Sequence, residues 1–253
     1  MECLNLCDLD EYGYKNTVNA KRIYVGSYFC ANYFVNLDLK RIREVLGDEV
    51  KLTLVVPILN QRNLSLGKEK IRKACRFFGE QLDEITINEY GLLGFIKNEI
   101  PCKLNLGRLL LKDNRDPRVD DFYSRCAEPK GFTQMFVDIL RKYNVTSVEI
   151  DEIYEKISVT KLPKEVELGV HFPYMYISTG HICEIASNTK EVSKKFRAGD
   201  SCSYSCKDVH LSYDGTEGLT YVKLGKGIYV KRQVRSEIIT KNKVRTIFMP
   251  LEL

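Results

Sequence analysis

Two rhythms of apolar and polar positions alternate along the chain. Short apolar runs rich in β-branched residues predict strands over 21–27 (KRIYVGS), 50–59 (VKLTLVVPIL), 84–88 (EITIN), 102–106 (CKLNL) and 146–151 (TSVEID). Further strands are predicted over the aromatic-rich run 166–178 and over 220–231 and 244–250. Between them, helical spacing appears over 37–46 (Leu39, Ile42, Val45, Leu46), 64–78 (Ile71, Cys75, Phe78), 92–98 and 132–143. Strand and helix recurring about every 25–40 residues is the signature of βαβ units on a parallel sheet. Seven or eight strands in a chain of 253 residues suit a (β/α) TIM-barrel-like α/β fold, a single domain over 1–253, with its later helices short or lost. An open doubly wound sheet fits less well. Leu224-Gly225-Lys226-Gly227 is too short for a phosphate loop and lacks the strand-to-helix context.

The net charge of +5 permits an anionic partner without requiring one. The basic stretch 227–243 is interleaved with apolar residues, so a solvated strand or helix face accounts for it. The opening MECLNLCDLDEYGYK lacks the basic and apolar regions of a secretory signal. No run approaches the ~18 apolar residues of a membrane span. A cytoplasmic location is therefore expected, with the cysteines reduced. Their number, nine, is odd and fits poorly with a pure disulfide framework. No nucleophilic serine elbow and no HExxH motif is present.

The cysteines carry the candidate chemistry. The segment 181–207, HICEIASNTKEVSKKFRAGDSCSYSCK, holds Cys183, Cys202 and Cys206 in the order C-x18-C-x3-C. Thiolates are the soft ligands that select zinc or iron–sulfur clusters, and such sites usually need a fourth protein ligand. Cys30, on the loop leaving the strand 21–27, is the first candidate for it; Cys126, in the loop SRCAEPKG, is the second. Strands ending near residues 27 and 178 would put Cys30 and Cys183 on one rim, at the carboxyl ends where barrel chemistry sits. Ordinary buried free thiols remain the alternative. Cys3 and Cys7 are too few for a second site and read as incidental cysteines of a capped helix or short strand. Cys75 reads as packed on a helix core face, and Cys102 as structural. His171 is read as a hydrogen-bonded core histidine in preference to a catalytic base. Lys194, Lys195 and Arg197 read as a solvated charge run, and 112–118 (KDNRDPR) as a polar loop.

Four stretches together, RIYVGSYFC, EITINEYGLLGFI, the C-x18-C-x3-C segment and RTIFMP, resemble the collagenase-like peptidase U family (number thirty-two). Within it they are most similar to the UbiV-type iron–sulfur proteins of oxygen-independent hydroxylation. The resemblance implies a 4Fe-4S cluster held by Cys30, Cys183, Cys202 and Cys206. It also implies an anaerobic role beside a second family member in a heterodimer, acting on a small molecule or an RNA base. The peptidase-type cysteine arrangement does not fit, because 185–201 contains no cysteine. The family barrel is longer at both ends, and no first strand and helix are evident here, so an incomplete or irregular barrel is expected. A zinc-stabilised binding or scaffold protein is the alternative from a different class. A collagenase-like peptidase is the third reading, and no peptidase nucleophile supports it.

Overall fold

Buried β-branched runs leave a sheet with no face to spare, and here the sheet closes on itself. The computed structural model describes residues 3–7, 20–111, 126–188, 190–197, 209–215 and 218–251, together with residues 202, 204 and 206. In chain order the first part runs β1 (Cys3–Asn5), β2 (Arg22–Gly26), α1 (Ala31–Val35), α2 (Leu39–Leu46), β3 (Lys51–Val56), α3 (Leu64–Phe78), β4 (Leu82–Ile87), α4 (Leu93–Glu99) and β5 (Lys103–Leu106). Next come β6 (Cys126–Ala127), α5 (Gln134–Lys142), β7 (Val145–Asp151), β8 (Lys156–Val159), β9 (Glu167–Phe172), β10 (Tyr174–Thr179) and α6 (Glu184–Asn188). The last strands are β11 (His210–Asp214), β12 (Thr220–Leu224), β13 (Gly227–Lys231), β14 (Glu237–Thr240) and β15 (Val244–Phe248).

Eight of these strands form a closed parallel barrel in the order β1-β15-β9-β7-β5-β4-β3-β2. Outward residues such as Ile85, Ile87, Val148 and Ile150 pack in one apolar cluster with Ile71, Ala74, Phe78, Phe136 and Leu140 of the helices. Local signals set the helix ends. Asp38 caps α2 by accepting from the Arg41 N–H, and Thr133 caps α5 by accepting from the Phe136 N–H. A four-stranded antiparallel sheet, β10-β13-β12-β11, and a small parallel one, β14-β8-β6, lie outside the barrel.

The barrel is complete. Cys3 pairs with Arg22 on one side and Ile247 on the other, so β1 is the first strand that was not evident in the sequence. Three residues are too few to carry an alternation. The run 166–178 is two strands, divided at the cis Phe172–Pro173 peptide: β9 stays in the barrel and β10 leaves it. The cysteine segment therefore follows β10, not a barrel strand. The run 220–231 is likewise a hairpin outside the barrel, turning at Gly225 with φ +55°. Cys126 opens β6, and its side chain lies outside the described residues, as does the loop 112–118.

One glycine is essential to the mouth of the barrel. At Gly26, φ is +116° and an added Cβ would stand 2.3 Å from the Val55 carbonyl oxygen. That close approach, sealed by the Ser27 N–H to Val55 O bond at 3.2 Å, turns β2 into Tyr28, Phe29 and Cys30.

Candidate active site at the barrel mouth

Every second residue of a barrel strand points inward, and in this chain many of those positions are polar. The layer nearer the amino ends is ionic. Glu84 accepts from Arg245 at 2.7 Å, from Ser147 at 2.8 Å and from Thr53 at 3.1 Å. Arg245 also pairs with Glu167 at 3.3 Å. Above it sits Glu149, fully buried, which accepts four hydrogen bonds. Thr86 (3.0 Å) and Asn105 donate to Oε1; Tyr28 Oη and His171 Nε2 lie 2.9 Å from Oε2.

The protonation states follow from these surroundings. Burial raises the Glu149 pKa, but the His171 bond, nearby positive charge and the Tyr28 hydroxyl together lower it further, and the carboxyl ends below its ordinary value. Burial and the Arg108 charge hold His171 down to about 4. Burial, then the Glu149 charge, pushes the Tyr28 phenol well above its usual value. At neutral pH the trio therefore carries one negative charge, on Glu149. An ionised carboxylate only accepts, so His171 Nε2 bears the proton. Its Nδ1 is then a bare acceptor, buried and without a hydrogen-bond partner among the described residues.

Beside this trio, at the carboxyl ends of β5 and β7, Arg108 and Asp151 form an ion pair with both side chains out of contact with solvent. Arg108 also donates to the Tyr174 carbonyl at 2.9 Å and stands 5.6 Å from the Tyr28 ring centroid. Asp151 accepts from the Tyr176 N–H at 3.1 Å. The pair thus fastens β10 to the barrel rim.

Between that rim and the outer sheet lies a cavity of about 400 Å³. Tyr28, Phe29, Ala31, Ile58 and Leu109 supply its apolar side; Asn60, Thr179, His181 and Lys226 supply the polar one. Phe29 is stacked on Tyr176 of β10, with centroids 4.8 Å apart, and meets Tyr229 of β13 edge-on at 5.9 Å.

Two of the candidate cysteines flank this cavity in the chain. Cys30, between Phe29 and Ala31, is the N-cap of α1, and its Sγ accepts from the Tyr33 N–H at 3.4 Å. Cys183, two residues past His181, opens α6 in the same way, with Sγ 3.4 Å from the Ala186 N. Cys202 and Cys206 are half-buried. Tyr204 between them accepts from Asn36 Nδ2 at the end of α1. Burial raises the Tyr204 phenol pKa, and Cys202, Cys30 and Cys206 add to the rise. Among the described residues, however, no group of three or more His, Cys, Asp or Glu side chains is gathered to hold a metal.

No family model, curated protein or solved structure matches this chain.

Cys75, Cys102, Cys3 and Cys7 are structural in position. Cys75 packs against the core, as its helical spacing predicts, with its Sγ 3.9 Å from that of Cys102. Cys3 and Cys7 line the barrel interior, and burial pushes the Cys3 thiol up to about 11. Of the charge run, Lys194 and Arg197 are exposed and Lys195 is half-buried, with Lys194 pairing with Glu191 at 3.3 Å. Among the described residues no helix is long and apolar enough to cross a membrane.

Sequence reasoning recovered His171 as a hydrogen-bonded core residue and missed its partners, Tyr28 and Glu149, and the neighbouring pair Arg108 and Asp151. A signal for two of them was present. In TSVEID the polar residues Ser147, Glu149 and Asp151 occupy alternate places with apolar Val148 and Ile150 between them, the mark of a polar barrel interior.

Proposed function

We propose that this chain is an iron–sulfur protein similar to the UbiV type, with a 4Fe-4S cluster held by Cys30, Cys183, Cys202 and Cys206. Its role in this reading is oxygen-independent hydroxylation of a small molecule or an RNA base, beside a related second subunit. One observation carries the reading: Cys30 and Cys183 are far apart in sequence, yet each caps a short helix next to residues lining one cavity. The thiols fit the group in kind, being half-buried and soft, and two already accept backbone N–H bonds of the sort that tune a cluster's potential. When bound, such a cluster supplies one-electron transfer. The chain's own residues supply the walls: Phe29 and Tyr28 exclude water on the barrel side, and Arg108 with Asp151 anchors the sheet above.

Purification under strict anaerobiosis tests this. A brown protein with about four irons per chain is expected. Cys30→Ser and Cys183→Ser should bleach the colour, and Cys75→Ser should not. A colourless, iron-free product refutes the reading, and one zinc per chain would replace it with a closed structural site.

A further inference from the structure

The cavity at the barrel mouth is divided in character, and the division specifies what it takes. Its inner side is a fixed aromatic and aliphatic wall. Phe29 is held on two sides by Tyr176 and Tyr229, and the backbone presses against it from the hairpin: an added Cβ at Gly227 would stand 2.7 Å from the Phe29 ring. A ring so clamped offers a ready surface for a flat apolar group and loses little freedom on binding it.

The outer side carries an ammonium group. Lys226 sits at the β12–β13 turn and lines the cavity, half-buried. Its Nζ donates to the His181 carbonyl at 3.0 Å, and among the described residues no carboxylate pairs with it. Lysine has three N–H donors, so two remain for a ligand. Thr179, paired with Gly227 next to the lysine, and Asn60 add neutral hydrogen-bonding groups to the lining. One lysine with three polar neighbours, Asn60, Thr179 and His181, suits a single negative charge. A phosphate dianion would call for more donors than this rim supplies. The volume of about 400 Å³ is near the lower end for small-molecule sites, whose range is roughly 300–1,000 Å³.

We infer that this cavity binds a small carboxylate with a compact aromatic or cyclic body, the ring against Phe29 and the carboxylate on Lys226. The inference rests on the functional reading above and deepens it, choosing the small-molecule side of its two substrate classes. It fails separately from that reading, because ligand binding is measured by calorimetry and the cluster by iron content.

The test uses the full chain, as isolated anaerobically, titrated with benzoate, phenylacetate and 3-phenylpropionate and with the matching uncharged alcohols. At least one acid should bind about tenfold or more tightly than its alcohol. Lys226→Met should erase that preference, Lys226→Arg should retain it, and Phe29→Ala should weaken acid and alcohol alike. Melting curves of each variant confirm that it is folded. Equal affinity for acid and alcohol overturns the inference. So does an acid affinity unchanged in a folded Lys226→Met protein, or no binding of any of the three acids. Tight binding of a single-stranded RNA that the acids do not displace also overturns it and returns the choice to the RNA class.

Discussion

Acidifying the solution should weaken the fold through one residue before the bulk of its carboxylates titrate. His171 is fully buried, and its pKa falls from an ordinary 6.5 to about 4 because burial and the Arg108 charge disfavour the imidazolium. As pH drops below 6.5, the unfolded chain takes up a proton at this position while the folded chain does not. The contribution is thus complete above 6.5 and is lost progressively down to about 4. At 1.36 kcal/mol for each tenfold change in proton activity, the gap corresponds to about 3 kcal/mol in all. Glu149, whose carboxyl lies below its ordinary 4.5, adds a loss of the same sign at lower pH. Urea denaturation at closely spaced pH values from 7.5 to 4.5 measures the slope, provided m stays constant. His171→Gln keeps an amide N–H toward Glu149 and removes the titration. It should start less stable and show a flatter profile between pH 6.5 and 5. Wild-type stability that is level or rising over that interval, or an equal slope in the variant, would refute the reasoning.

Two further outcomes follow, one inside the barrel and one between helix α3 and the start of β5. Glu149→Gln places an amide NH₂ against two of the four donors now facing the carboxylate, and should destabilise by roughly 3 kcal/mol in equilibrium unfolding; a loss below about 1 kcal/mol would show that the network rearranges at little cost. Oxidation with diamide should join Cys75 to Cys102, since their sulfurs are 3.9 Å apart and the Cys102 thiol lowers the Cys75 pKa. Peptide mapping without reductant should recover that linked pair, whereas both thiols left free would count against it.

How legible each element was depended on what carried its signal. The helix over Leu64–Phe78 was readable to its ends, because Ile71, Ala74 and Phe78 recur on one buried face. β1 was not, because its barrel role comes from pairing with β2 and β15, far away in sequence. The run 166–178 shows apolar residues on both sides of Pro173, so periodicity alone could not reveal that the chain changes sheets there. The cysteines show a similar limit. Spacing pointed to Cys30 and Cys183 on one barrel rim; Cys183 instead follows a strand outside the barrel, and it is their chain neighbours Phe29, Ala31 and His181 that line one cavity. The approach of four side chains is a matter of loop conformation, which residue spacing does not encode. The ion pair Arg108–Asp151 was hidden for another reason: its members look like ordinary turn and strand-end residues until the barrel brings β5 beside β7.

A parallel barrel lined only with oil could slide one stave past the next by two residues and still bury the same kind of surface. This one cannot. Moving β15 by that step would lift Arg245 away from Glu84, stranding a cation and an anion in a dry interior. The stagger of the staves is therefore keyed by charge, and with it the height at which Tyr28 and Cys30 emerge beneath the roof.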